Sequence, residues 1–490
     1  MRKINLGLAA LATMTALATV PVHAEGVVYT PVSGGKIYLE KYLVMDKEAN
    51  VPNVTFDYAI EAGAYQNASP SAPVHTMVYA GNDANATAGY SALKIKGVTF
   101  AVGDTTYTDV QKLPDAVKNS IQAKTNGTDV NDDPVAKDHY VESNAVNGEE
   151  WATTKKYARH DIEIDFTGVT FKEPGIYRYI VTEINPSSVA VNSAPKVITQ
   201  DQIDNASFNK NHGIDYDLDT RRVLDVYVNH KDGTDTDLEV VGYVLHENDN
   251  AAVVPYEYAT NTPDTKADGF VNYYVTHDLA IEKKVTGNQA SHDQYFKFTI
   301  ELENAGKSTK YDIAGNYDVT TKVTAVNTSA LTNPTTVTTD ADGKATITIW
   351  LQHGQNAVIL GLSRNTYYTI YEDAATLTNQ GYESTTIANK GITRTESGTT
   401  VTYAAKASTL NATKAAVQSV SSSPANMKDK VQDTAAENGI TDDTWHEYTN
   451  HKHAVIPTGI IEAVAPGVLA VVIAGLGMFL YSKSRKTKAE

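Results

Sequence analysis

Cysteine is absent from all 490 residues of the chain, which excludes disulfide bonds, thiol nucleophiles and internal thioesters. Phenylalanine is also scarce, with 9 residues against 29 tyrosines, and this bias together with frequent Thr and Val is typical of half-buried β-strands. Positive charge is in the minority, and the net charge of −17 argues against nucleic acid as a partner. We therefore expect an all-β protein that is soluble and holds its fold without disulfides.

Motifs of enzymes and metal sites are missing as well. The chain has no G-x-S-x-G sequence, no phosphate-binding glycine loop and no visible set of nucleophile and base. His246 lacks the second histidine of a zinc-protease helix, and the turns Asp232–Asp237 and Asp340–Gly343 lack the twelve-residue calcium pattern. A solvated strand end is expected for three histidines near the C-terminus, His446, His451 and His453. We predict no enzyme, no cofactor and no metal.

The N-terminus carries an export signal. Arg2 and Lys3 precede the apolar run Ile4–Val20, and Val22 and Ala24 place small residues at a cleavage site. Residues 1–24 are therefore predicted to be a secretory signal peptide, and a second membrane span is the less favoured alternative because the run is short.

The C-terminus combines three features in a fixed order. Residues 463–481 contain no charge and would form a helix about 28 Å long, enough to cross a hydrocarbon core, and a basic tail follows that favours the cytoplasmic side. Directly before the span stands a short motif, Val455, Ile456, Pro457, Thr458 and Gly459. A plain membrane anchor after a chance proline turn is the alternative, but the order of motif, span and tail favours a cell-wall sorting signal over residues 455–490.

Between these signals, period-2 alternation predicts two successive β units, residues 25–275 and 276–454. In the first predicted strand of each unit, a lysine replaces an apolar residue on the core-facing side: Lys41 follows Ile37 and Leu39, and Lys283 follows Leu279 and Ile281. Three polar segments interrupt the pattern, and we interpret them as surface excursions, the last one with a weak helix: residues 115–150, 185–212 and 408–443.

The lysines belong to a constellation that occurs twice in the same strand order. A glutamate shares the core face of a late strand, and an asparagine shares the core face of the last strand. The two predicted sets are Lys41, Glu183 and Asn272 in the first unit, and Lys283, Glu372 and Asn450 in the second. For a single set, a snorkelling lysine, a surface ion pair and a turn asparagine would be the simpler interpretation. The repetition favours a shared chemical purpose.

Elementary chemistry suggests that purpose. Burial lowers the pKa of a lysine and raises that of a glutamic acid, so a neutral amine would lie beside a protonated carboxyl group. The amine can attack the asparagine amide while the acid shuttles protons and ammonia leaves, which forms a Lys–Asn isopeptide bond. We therefore predict intramolecular cross-links, with Glu183 and Glu372 as the acid–base groups.

On these residues the chain resembles the major, shaft-forming pilins of Gram-positive sortase-built pili, with two collagen-adhesin-B-type (CnaB-like) isopeptide domains. The segments that carry the resemblance are Ile37–Leu43, Val181–Glu183, Phe270–Asn272, Leu279–Gly287, Tyr371–Glu372 and Tyr448–Gly459. The resemblance implies two tandem immunoglobulin-like β-sandwiches in an elongated rod, in which the bond joins neighbouring first and last strands. The motif resembles the V-P-T-G variant of pilins, with Ile456 in place of valine, and departs from the commoner L-P-x-T-G.

The resemblance also implies how such a chain would polymerise. A pilin-specific sortase would cleave between Thr458 and Gly459, and a lysine of the next copy would attack the acyl-enzyme. Lys266 is the candidate for that lysine, shifted by about one residue from the pilin pattern, and Lys196 is the reserve. The implied partners are the sortase, further copies of the chain, minor or tip pilins and peptidoglycan, at the surface of a Gram-positive cell. A monomeric wall-anchored adhesin with the same domains as a stalk is the alternative function.

Overall fold

A computed structural model of the chain describes residues 30–62, 78–80, 93–108, 155–188, 198–216, 220–247, 269–373, 377, 379–409, 416–419, 425–430, 443–452 and 478. The all-β prediction is confirmed, since twenty-six strands and one helix of appreciable length occur in these ranges. No helix within them is both long and apolar enough to cross a membrane. The predicted signal peptide, the sorting motif and, apart from Met478, the predicted span lie outside the described residues.

Fourteen of the described strands and the helix precede Val275. In chain order they are β1 (Thr30–Pro31), β2 (Lys36–Asp46), β3 (Val54–Phe56), β4 (Tyr58–Ala62), β5 (Val78–Ala80), β6 (Lys94–Ile95), β7 (Val98–Phe100), β8 (Thr106–Tyr107), β9 (Lys155–Asp165), β10 (Gly175–Glu183), α1 (Gln200–Asn211), β11 (Ile214–Asp215), β12 (Arg221–His230), β13 (Leu238–Glu247) and β14 (Gly269–Tyr274).

Twelve strands follow Val275. They are β15 (Thr276–Thr286), β16 (Phe296–Glu303), β17 (Lys310–Gly315), β18 (Thr336–Thr338), β19 (Ala345–Leu351), β20 (Asn356–Ser363), β21 (Tyr367–Glu372), β22 (Ser384–Ser397), β23 (Thr400–Thr409), β24 (Ala416–Ser419), β25 (Ala425–Lys430) and β26 (Thr444–His451). The predicted unit boundary at 275/276 lies at this junction, where a single residue separates β14 from β15.

In the described residues, each half is built around two facing sheets, and the first half has in addition the short antiparallel pair β3–β7. In the first half, β1-β13-β12-β10-β4 faces β11-β14-β2-β9-β6, with β5 and β8 added at β10 and β9. In the second half, β18-β17-β20-β15-β26-β22-β23 faces β19-β16-β21-β25. Among the paired strands that the structure describes, no sheet mixes strands from the two halves, and each half encloses its own apolar core.

Alternation explains which side chains enter the cores. In β2, Ile37, Leu39 and Leu43 point into the first core, and in β15, Leu279 and Ile281 point into the second, as period 2 requires. The lysine in each series shares that direction and is fully buried. The facial assignment of the sequence is therefore confirmed for both opening strands.

Two of the predicted surface excursions contain regular structure. Residues 198–212 include α1, whose N-terminus is closed by a capping box between Thr199 and Gln202. In the described part of residues 408–443, strands stand where a loop with a weak helix was expected: β24 pairs with β22, and β25 pairs with β21. These strands form because their backbones pair with neighbouring strands. Their side chains are mostly polar, so the sequence shows no hydrophobic alternation from which a strand could be predicted. Residues 115–150 lie outside the described ranges.

The junction between the halves is hydrogen-bonded on both sides of the chain. The Val275 N–H donates to the Gly213 carbonyl at 2.7 Å, and the Val275 carbonyl accepts from the Arg364 N–H at 3.0 Å. Gly213 has φ +90°, and a Cβ there would lie 2.6 Å from the Val275 carbonyl oxygen, so the position needs glycine. The Arg364 guanidinium forms an ion pair with Asp215 of the first half.

A second set of contacts lies on the opposite side of this junction. The Thr276 hydroxyl donates to Asp46 at 2.7 Å, and the Asn50 amide donates to Asp312 at 2.9 Å. Ion pairs of Glu48 with Arg394 and of Lys47 with Glu396 connect the β2–β3 turn to β22. The two sandwiches are therefore fixed to each other by contacts around a one-residue connection.

Candidate functional site: two buried Lys–Glu–Asn sets

Parallel strand pairing brings the first lysine and asparagine together. β2 and β14 pair in parallel, with Lys41 opposite Phe270 and Leu43 opposite Asn272. Because side chains two residues apart share a face, Lys41 and Asn272 project from neighbouring strands into the same core. Close approach is possible at the start of β14 because Gly269 has no side chain: a Cβ there would lie 1.8 Å from the Glu40 carbonyl oxygen.

The second half repeats this pairing with the same offset. β15 and β26 pair in parallel, with Lys283 opposite Tyr448 and Val285 opposite Asn450. In both halves the asparagine therefore lies two residues beyond the partner of the lysine. Such parallel pairing requires long connections, and here the opening and closing strands of each sandwich are neighbours in its sheet.

The glutamates come from the facing sheets. Glu183 lies on β10, and its Oε1 is 2.5 Å from Lys41 Nζ and 3.0 Å from Asn272 Nδ2. Glu372 lies on β21, and its Oε1 is 2.7 Å from Lys283 Nζ and 2.7 Å from Asn450 Nδ2. In each set, one carboxylate oxygen thus contacts both the amine and the amide nitrogen.

These groups lie in strongly apolar surroundings. All six residues are fully buried, and the Phe56 ring centroid is 4.3 Å from Lys41 Nζ, while the Phe296 centroid is 4.6 Å from Lys283 Nζ. Burial lowers the pKa of Lys283 to about 8, although the nearby Glu372 carboxylate opposes the shift. At pH 7 about a tenth of this amine is then neutral and nucleophilic, far more than for a lysine with its ordinary pKa.

The structure brings the six predicted residues together in two groups of three, and it adds partners that the sequence analysis missed. The Thr385 hydroxyl, on β22, donates to Asn450 Oδ1 at 2.8 Å, and the Tyr58 hydroxyl donates to Glu183 Oε1 at 3.3 Å. Burial and Glu183 raise the pKa of Tyr58, so it remains a hydroxyl donor. Both residues reach the sites through strand pairing that alternation alone does not reveal.

The chain is similar to solved structures of major pilins. A major pilin from Streptococcus pyogenes is 17% identical, with 86% of this chain and 100% of that chain covered and a TM-score of 0.39. The T3.2 major pilin from Streptococcus pyogenes is 16% identical, with 86% and 99% covered and a TM-score of 0.37. A pilus-presented adhesin is 17% identical, with 53% and 43% covered and a TM-score of 0.17.

Sequence comparisons add little to these similarities. A family described as a domain of unknown function (DUF7601) matches residues 277–413. No curated protein matches the chain. The likeness to pilins is thus one of remote similarity, and it does not by itself establish membership of their family.

The other candidate residues fall outside the two sets or outside the described ranges. Lys266, Lys196 and the motif Val455, Ile456, Pro457, Thr458 and Gly459 lie outside the described residues, as does His453. The expectation of a solvated strand end is wrong for His446, which is fully buried, with Nε2 2.7 Å from the Tyr368 hydroxyl and Nδ1 2.7 Å from Asn389 Oδ1. Within the described ranges, no group of three or more His, Asp or Glu side chains could hold a metal ion.

The lowered pKa of Lys283 can be measured if the amide is removed. In an Asn450→Ala variant, we expect the amine to titrate near pH 8, because burial disfavours the ammonium form. The folded state then binds this proton more weakly than the unfolded state, so stability should rise as the pH increases from about 8 towards the ordinary lysine value of about 10.4. Lysine-selective NMR would follow the amine, and thermal unfolding at pH 7 and pH 9 would follow the stability.

A Lys283→Met, Asn450→Ala double variant is the matched control, because it keeps the apolar stem and lacks the titrating group. Its unfolding temperature should not show the rise that the single variant shows between these two pH values. An amine that titrates at its ordinary value would contradict the assignment.

Proposed function

We propose that this chain is the repeating subunit of a cell-surface pilus, in which each sandwich is closed by a Lys–Asn isopeptide bond. The observation that carries the proposal is the repetition of one arrangement, with the same strand order, the same parallel offset and the same bridging carboxylate in both halves. A structural ion pair would need neither the third residue nor the common offset. A buried amine, a carboxyl group and an amide in contact are the reactants that a Lys–Asn isopeptide bond requires.

The proposed reaction balances without any cofactor. The neutral amine of the lysine attacks Cγ of the asparagine, the new C–N bond forms, the bond to Nδ2 breaks, and ammonia leaves. Oε1 of the glutamate can take the proton from Nζ and deliver it to the departing Nδ2, because it contacts both nitrogens. The folded core holds the reactants together, which replaces a bimolecular encounter.

In the second domain, Thr385 would assist the attack. Negative charge develops on Asn450 Oδ1 as the tetrahedral intermediate forms, and the Thr385 hydroxyl already donates to that oxygen. Thr385 is buried, and its position directly opposite Asn450 in the antiparallel β22–β26 pair fixes the direction of the hydroxyl. We assign it the role of a carbonyl-polarising donor.

Intact mass tests both bonds at once. Recombinant protein comprising residues 25–454 should weigh less than its sequence by two ammonia molecules, and Glu183→Ala or Glu372→Ala should each restore one of them. Peptide mapping should find Lys41 joined to Asn272 and Lys283 joined to Asn450. A matched control is Glu163→Ala, which removes ion pairs with Lys36 and Lys96 away from both sites and should keep the full deficit. A wild-type mass equal to the sequence would refute the cross-links.

Removal of the Thr385 hydroxyl should slow the second bond alone. When newly synthesised Thr385→Val folds for the first time in a cell-free translation, the loss of ammonia from the second domain should be slower by on the order of tenfold or more, because a donor to the developing oxyanion is missing. The first domain is the internal control, and Thr385→Ser should react at nearly the wild-type rate. Equal rates for the valine variant and the wild type would remove Thr385 from the mechanism.

The sorting signal supports polymerisation as the use of these domains. A sortase that cleaves after Thr458 would hold the chain as an acyl-enzyme, and Lys266 of another copy would complete an intermolecular amide bond. The chain would then be a sortase substrate on the surface of a Gram-positive cell, with peptidoglycan and minor pilins as further partners. Its only catalytic chemistry would be the closure of its own two bonds.

Polymerisation predicts a ladder of covalent species. Cells that express the full chain together with its sortase should give high-molecular-weight bands on denaturing gels, and Lys266→Ala should abolish them because it removes the attacking amine. Lys196→Ala is the comparison, and it should leave the ladder intact. A single wild-type band anchored to the wall would instead favour the monomeric adhesin.

A further inference from the structure

The positions of the two chain ends in the fold determine which surfaces would meet in a polymer; this inference rests on the proposed function. β15 starts at the junction, and its far end, Thr286, pairs with His451 at the end of β26. Thr458 lies seven residues beyond His451, a reach of at most about 25 Å. Any chain joined to Thr458 is therefore attached within about 25 Å of this outer end of the second domain.

The loop between β17 and β18 lies at the same outer end. We call residues 316–335 the valine loop. Asn316 Nδ2 donates to the Gly354 carbonyl at 3.1 Å, and Asp318 Oδ2 accepts from Gln355 Nε2 at 3.0 Å. The Gln355 carbonyl in turn accepts from the Lys283 N–H at 3.0 Å, which ties the base of the loop to the far half of β15.

The valine loop presents apolar side chains to solvent. Of the eight large apolar side chains that are exposed within the described ranges, three belong to it: Val319 at 48%, Val323 at 64% and Val326 at 46% exposure. These three valines fall within eight residues of one loop, and exposed apolar side chains that lie together mark interaction sites, whereas scattered single ones need no explanation.

Hydrogen bonds hold the valine loop in a defined shape. The Asn333 N–H donates to the Val319 carbonyl at 2.7 Å, and the Thr321 N–H donates to the Leu331 carbonyl at 2.8 Å. Asn327 Oδ1 accepts from the Tyr295 N–H at 2.9 Å, which fixes the middle of the loop to the residue that precedes β16. The exposed valines are therefore held in place before any partner binds.

The surface that would meet this loop lies at the outer end of the first domain. Lys266 is three residues before Gly269, the first residue of β14, and Gly269 pairs with Glu40 of β2. Tyr38 lies two residues before Glu40 on the side of β2 remote from the junction, and it is 48% exposed. The Tyr243 hydroxyl donates to the Tyr38 carbonyl at 2.9 Å, which fixes the position of Tyr38. We call Tyr38 and Tyr243 together the Tyr38 rim.

We propose that the valine loop is the non-covalent docking surface for a second copy of this chain, and that it contacts the Tyr38 rim of that copy's first domain. The seven-residue reach from His451 to Thr458 brings the two surfaces together once the intermolecular bond forms. Apolar contact there removes the exposed valines from water and stiffens each connection in the polymer.

The absence of cysteine permits a direct test in assembled polymer. A full chain with Val323→Cys and Tyr38→Cys carries only those two thiols. After polymer from sortase-expressing cells is oxidised, peptide mapping should find a disulfide between positions 323 and 38, with the two positions on different copies when isotope-labelled and unlabelled subunits are mixed. Val319→Cys and Val326→Cys, each with Tyr38→Cys, test the neighbouring positions.

Val401→Cys with Tyr38→Cys is the control, because Val401 is exposed on β23, away from the valine loop, and should give no disulfide in the polymer. A ladder of normal length without a disulfide from any of the three valine positions would overturn the docking surface and leave the proposed function intact. The absence of a ladder in the wild type would overturn both.

Discussion

A lysine amine in the apolar core of a β-sandwich is the constraint on which the rest of this structure depends. An isolated ammonium ion at that depth is too costly to persist, so it must be paired, neutralised or consumed. Here a glutamate from the facing sheet pairs with it, and burial lowers the pKa of Lys283 to about 8. The same carboxylate also accepts a hydrogen bond from the asparagine amide, and in the proposed reaction this contact allows it to pass a proton from the amine to the leaving nitrogen.

The topology follows from the need to bring these groups together. Lysine and asparagine lie on the opening and closing strands of each sandwich, and parallel pairing with an offset of two residues places them side by side. The glutamate approaches from the other sheet, so each site also spans the two layers of the sandwich. Correct pairing of distant strands and correct packing of the sheets are both required before any of the six groups can meet.

Alternation in the sequence was sufficient to predict these six residues, because a charge that interrupts an apolar face is visible locally. The helix α1 was missed, because residues 185–212 were interpreted as a polar surface excursion although Thr199 and Gln202 form a capping box there. Thr385 was missed as well, since it reaches Asn450 through antiparallel pairing across sixty-five residues. His446 was grouped with His451 and His453 and expected at a solvated strand end, whereas its ring is buried and hydrogen-bonded to Tyr368 and Asn389. Local alternation thus indicates on which face of a strand a side chain lies, whereas the pairing of strands distant in sequence determines which side chains it contacts.

The two sites are linked by a short segment of chain that runs through the junction. β14 carries Asn272 and continues through Val275 into β15, which carries Lys283, so ten residues separate the two sites along the chain. In the proposed cross-linked form, a pull that enters before β14 and leaves after β26 would pass along this segment and through the Lys283–Asn450 bond. The chain between those two residues would be bypassed and would not need to resist the pull. A protein without disulfides would in this way resist extension through a single amide bond placed between the ends of one sandwich.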